Sequence, residues 1–124
     1  MLLRSTLVIN GVSTALCGLA LLLAPTALAG LLGVSAPALL AAVGAGLVLY
    51  AGGLFWTARR QPIPGGAAWA AVVMDFGWVL GSIALIELGI LSSLGTGLVA
   101  LVAAAVFVFA VLQLVGLKQI TRPA

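Results

Sequence analysis

Two carboxylates, one thiol and no histidine set narrow limits on the acid–base, metal-binding and thiol chemistry of this chain: Asp75, Glu87 and Cys17. Without histidine there is no imidazole to ligate haem or a metal, and no base to activate a serine or cysteine. A lone Cys17 closes no intrachain disulfide and makes no CxxC redox pair. Two acids do not make an ordinary metal shell. Nor do they make an acid/base pair. Asp75 and Glu87 are twelve residues apart, which on a helix is about 18 Å of rise and about 120° of rotation. That separation is too wide for a glycosidase-type pair of carboxylates. No catalytic residue, cofactor or metal is therefore expected, and the chain reads as non-enzymatic.

What remains is polarity in an apolar setting. Asn10, Tyr50, Asp75 and Gln113 each interrupt a different apolar stretch, with Ser13, Thr14 and Trp78 nearby. Such groups are costly in lipid, about 2.5–3.5 kcal/mol for a charge at mid-helix on insertion scales, and often functional. The setting itself follows from composition. Of 124 residues, 65% are hydrophobic and 6% charged, against roughly 45–50% and about 25% in soluble domains. Seven charges cannot cover the surface of a soluble fold of this size. The chain is expected to be an all-α integral membrane protein, one domain over residues 1–124.

Four stretches of about 20 residues meet the span of a hydrocarbon core: Ser5–Ala24, Ala38–Thr57, Ala67–Leu88 and Leu98–Leu117. None alternates as a barrel strand would. Pro25 and Pro37 bracket the first loop, Pro62, Pro64, Gly65 and Gly66 the second, and Ser92, Ser93, Gly95 and Gly97 mark the third. A four-helix bundle results. The first loop is apolar, with Leu28, Leu31, Leu32 and Val34. It is expected to lie in the interface as a short helical turn capped by Thr26. Met1–Arg4, the apolar stretch and Ala27-Leu28-Ala29 resemble a signal peptide. The stretch exceeds the roughly 7–15 residues of such a core, however, and contains Asn10, Ser13 and Thr14. It is expected to remain the first span.

Arg4, Arg59, Arg60, Lys118 and Arg122 all fall on one side of a four-span chain. The positive-inside rule then places both termini in the cytoplasm and the protein in the cell (inner) membrane. Trp56 and Trp69 fall at the same boundary, where indole rings favour the headgroup region. Five basic residues so spread form no nucleic-acid patch.

Depth groups the polar residues. Asp75 is nine residues past Gly66, about 13 Å from the cytoplasmic end, and Asn10, Tyr50 and Gln113 lie within two turns of that level. They can form either a polar pocket with a protonatable Asp75 or an interhelical hydrogen-bond clamp. Glu87, near the opposite end, reads as a solvated rim carboxylate, and Cys17 as a small packed hydrophobe. Gly77 and Gly81 make a GxxxG step, and Gly11/Ala15 and Ala42/Gly46 are small-xxx-small steps. Such faces bring helices together in lipid. Gly77 is about 200° around the helix from Asp75, so the Gly77/Gly81 face packs either within the bundle or against another chain.

A faint repeat lays Val8-Ile9-Asn10 on Val73-Met74-Asp75, and Leu39-Leu40-Ala41-Ala42 on Leu101-Val102-Ala103-Ala104. It implies two similar helical hairpins in one orientation. Size and span number are similar to small multidrug transporters, fluoride channels and DoxX-like proteins. The first keep a glutamate in helix 1, where this chain has Asn10. The second carry a Thr/Ser track in helix 3 that Ala67–Leu88 lacks, and no motif of the third maps onto positions here. The expected role is an accessory subunit or oligomeric scaffold whose partners are lipid and other membrane subunits or itself. The alternative is a proton- or small-solute-coupled transporter using Asp75.

Overall fold

The computed structural model describes residues 2–121, so that Arg122 lies outside the described residues. Among these, the chain forms α1 (Leu2–Leu23), α2 (Pro25–Leu32), α3 (Pro37–Arg59), α4 (Gly65–Glu87) and α5 (Ser93–Thr121), and no strand. The four long helices run from 22 to 29 residues, about 33 Å or more each. All four are apolar enough to cross a membrane. Helices are what such sequence must form in lipid, where each backbone group has to be paired within its own segment.

The boundaries show what starts and stops them. Pro25 and Pro37 open α2 and α3 at their first turns, where a missing N–H costs nothing. The short helix expected in the first loop is present. Thr26 does not cap it, however: it lies inside α2, Ala24 occupies the cap position, and no side chain caps there. Gly33, at φ 80°, closes α2 with its N–H on the Ala29 carbonyl. The third loop is shorter than expected, because Gly95 and Gly97 lie inside α5. Ser92 begins that helix early: its Oγ accepts from the Gly95 N–H at 2.9 Å, and its carbonyl accepts from the Thr96 N–H at 2.8 Å. The same residue ties α2 down. Its Oγ donates to Leu31 O at 2.7 Å and its N–H to Leu32 O at 2.9 Å.

Two hairpins make the bundle. α1 packs along α3, α4 along α5, and α1 against α5 joins the pairs, whereas α3 and α4 barely touch. An edge-to-face pair, Phe76 and Phe107 at 5.9 Å, sits between α4 and α5. α1 and α3 approach closely at Gly18 and Gly44. A Cβ added at Gly44 would lie 2.6 Å from the Gly18 carbonyl. The Ala42/Gly46 step is not a packing face: Ala42 is exposed and a Cβ on Gly46 would meet nothing within 4 Å. In the first step, Gly11 packs on the Phe55 ring.

The end where α1 begins and α5 closes, beside the α3–α4 loop, has a packed apolar interior. Leu3, Leu7, Leu54, Ala58, Ile63, Ala68, Ala71 and Leu117 form one buried cluster drawn from every long helix and the loop. Arg4 closes it from the side, donating from Nε to Ala58 O at 2.7 Å and from Nη2 to Arg60 O at 2.9 Å. It thereby pairs carbonyls that the C-terminus of α3 leaves open.

Candidate functional site

Directly above this apolar plug lies a polar layer with one side chain from each long helix. Asp75 of α4 is its centre. Oδ2 accepts from Asn10 Nδ2 at 2.8 Å and from Gln113 Nε2 at 2.9 Å, and Oδ1 from the Tyr50 hydroxyl at 2.9 Å. Asn10 also donates to Gln113 Oε1 at 2.8 Å and accepts from Thr14 Oγ1 at 3.0 Å. The Tyr50 hydroxyl has a second acceptor in reach, Ala71 O at 3.1 Å. Asn10, Asp75 and Gln113 are all buried. The four residues grouped by depth in the sequence are thus brought together, and three neutral side chains share one carboxyl group.

The layer is a floor. On its far side, towards the end that carries α2, opens a cavity of about 350 Å³, within the roughly 300–1,000 Å³ of small-molecule sites. Asn10, Thr14, Tyr50 and Asp75 lie at its polar end, and Val43, Leu47, Val106 and Phe109 are among the apolar walls. It has this volume because Gly46 puts no side chain into it and because α3 and α4 splay apart. A second, apolar cavity of about 730 Å³ continues along the α3–α4 seam and shares Val43, Met74 and Trp78 with the first. Met74 is 57% exposed, so the seam opens on the bundle surface. The indole N–H of Trp78 is buried and has no hydrogen-bond partner.

The remaining residues singled out from sequence take varied places. Gly77 and Gly81 do not pack within the bundle: a Cβ at either would meet nothing within 4 Å, and both line the second cavity. Cys17 is not packed away but exposed, on the wall of the first cavity. Glu87 is exposed at the end of α4, while the Ser92 hydroxyl engages α2 and α5. Trp56 and Trp69 are half exposed, and Arg60 stacks on Trp56 with its guanidinium carbon 4.2 Å from the ring centroid. The sequence leaves a polar pocket at Asp75 as one of two readings but does not reveal the apolar extent of the cavity. Its walls are ordinary apolar residues, and the one readable signal was Gly46 one turn from Tyr50. No protein-family model, curated protein or solved structure matches this chain, so the site is read from its own geometry.

Proposed function

We propose that this chain is a small-solute transporter of the cell membrane, its termini cytoplasmic, in which Asp75 is the group that exchanges a proton against solute. The observation that carries the reading is the cavity that ends on the Asp75 layer. A structural clamp needs only buried hydrogen bonds. It needs no solute-sized space leading to them. The buried apolar cluster beneath Asp75 supports access from one side at a time, as a carrier requires. With the termini inside, the open side faces outward.

The test uses vesicles reconstituted with wild type and loaded with a pH-sensitive dye. Gradients of cationic, anionic and neutral solutes are imposed in turn, with protein-free vesicles as the blank. One solute class should move protons in wild type and not in Asp75→Asn. Identical traces from the two proteins with every class would overturn the reading.

A second reading, an accessory subunit or oligomeric scaffold, is supported by the Gly77/Gly81 face, which leaves backbone uncovered on the bundle surface. Extraction from native membranes in mild detergent separates the two. A lone monomer opposes the scaffold, and a stable larger assembly favours it.

A further inference from the structure

At the polar end of the cavity the donors around Asp75 are engaged, and the Ser13 hydroxyl on the wall, which can donate or accept, is the exception. Both N–H groups of Asn10 are used, on Asp75 and Gln113. The Tyr50 hydroxyl hydrogen is directed to Asp75, with Ala71 O as its other acceptor. The Thr14 hydroxyl hydrogen is on Asn10 Oδ1. Acceptor capacity is what remains. A carboxylate offers about four lone-pair sites and three are taken here, and the Tyr50 and Thr14 oxygens each keep an open lone pair. The indole N–H of Trp78 is an unpaired donor, but its nitrogen has no accessible surface. Trp78 therefore presents ring surface to the cavity and its donor does not meet a ligand.

A carboxylate bonded only by neutral groups, rimmed by further acceptors, takes a donor and prefers a positive one. Aromatic faces from Tyr50, Trp78 and Phe109 surround the same space, and such faces attract cations. Beyond this end the walls are apolar apart from Ser82, continuing into the second cavity past Gly77 and Gly81. Charge sits at one end and hydrocarbon at the other.

We propose, building on the transport reading, that the site binds an amphipathic primary or secondary ammonium, with one N–H on Asp75, the one or two others on Tyr50 and Thr14, and its apolar tail along the α3–α4 seam. Entry is lateral, from the lipid, between α3 and α4. A quaternary ammonium fits worse because it has no N–H, and a carboxylate is repelled. Two sources share this chemistry: a free alkylamine and the ammonium of a phosphatidylethanolamine headgroup. The depth favours the free amine, since Asp75 is twelve residues, about 18 Å, from the end of α4.

Cys17 is a built-in reporter. It is the chain's one cysteine and lines the cavity on the helix face of Asn10 and Thr14. The protein is placed in phosphatidylcholine nanodiscs, and the rate of Cys17 alkylation by a membrane-permeant maleimide is followed. Octylammonium, octyltrimethylammonium, octanol and octanoate are added separately. Octylammonium should protect Cys17 at concentrations about tenfold below those of the trimethyl analogue, the scale of one charge-assisted hydrogen bond. Octanoate should not protect.

Two variants tie protection to the site. Asp75→Asn removes the charge and should cancel the preference for octylammonium. Gly77→Phe fills the seam without touching the polar layer and should slow protection in time. Nanodiscs containing phosphatidylethanolamine distinguish the sources: protection with no amine added assigns the site to the headgroup. Equal or better protection by octanol or octanoate would overturn the ammonium assignment and leave a solute site standing. No protection by any of the four would overturn the solute site itself.

Discussion

Asn10 of α1 and Asp75 of α4, 65 residues apart in sequence, are bonded to each other, Nδ2 to Oδ2 at 2.8 Å. That bond links the two hairpins, which pack through α1 and α5, while Tyr50 and Gln113 come from α3 and α5. Only one hairpin contributes a charge. A neutral amide and an acid form a direct bond where two acids would repel.

The first prediction follows from that bond. Asp75→Asn should leave stability within about 1 kcal/mol of wild type, because the network can rearrange without moving atoms. An amide oxygen at the Oδ2 position still accepts from Asn10 and Gln113. The amide nitrogen at the Oδ1 position donates to Tyr50, whose hydroxyl then turns to Ala71 O at 3.1 Å. Asp75→Leu removes every acceptor and leaves donors of Asn10 and Gln113 unpaired, at a cost of about 2 kcal/mol or more. Thermal unfolding in one detergent, with both variants side by side, checks the order. A leucine variant as stable as the asparagine variant would contradict it.

Spans and polar layer were legible for one reason. Lipid makes apolar runs helical and makes each polar exception conspicuous, so Asn10, Tyr50, Asp75 and Gln113 stood out and counting along each run gave their depth. The neighbours of each helix were not legible. Small residues occur on every face of these helices, so Gly18 and Gly44, which touch, look no different from Gly77 and Gly81, which do not. The glycines at the start of α5 illustrate the same limit. Gly95 reads as a breaker, yet it lies within a helix because the Leu32 carbonyl occupies the place of its side chain, 2.5 Å from where a Cβ would stand.

A paired substitution on α3 tests that packing. Gly44→Ala should destabilise by about 1–3 kcal/mol, the range for overpacking, because its Cβ would stand 2.6 Å from backbone oxygen that cannot swing aside. Gly46→Ala, two residues on, meets open space. It should be neutral or stabilising by up to about 1 kcal/mol through helix propensity. Equal losses at both positions would mean that α1 and α3 do not approach at Gly44.

Ser92 holds two elements with one hydroxyl, donating to Leu31 O and accepting from the Gly95 N–H. Ser92→Ala removes both bonds and keeps the backbone bond to Leu32 O. The expected loss is about 1 kcal/mol, that of a helix cap, concentrated at α2. Hydrogen exchange localises it: amides of α2 and the first turn of α5 should exchange faster, and those around Asn10 should not change. Uniform acceleration through the bundle would show that α2 is not a separate unit of stability.

The last prediction concerns sidedness, and the asymmetry of charge sets it. Arg4, Arg59, Arg60 and Lys118 lie at one end of the bundle, while the end formed by α2 and the α4–α5 turn has no basic residue among its loop positions. Basic residues are retained on the cytoplasmic side during insertion. Single cysteines are placed at Ser35, Ile90 and Gln61 in a Cys17→Ala background, in intact cells. A membrane-impermeant maleimide should label the cysteine at position 35 or 90, both exposed. The exposed Gln61 position, beside the two arginines, should react only after the membrane is opened. The result also decides which leaflet feeds the α3–α4 seam, because Gly77 and Gly81 lie on the Ile90 side of Asp75. Labelling at Gln61 from outside would invert the protein, turn its cavity towards the cytoplasm, and make the solute entering the seam an intracellular one.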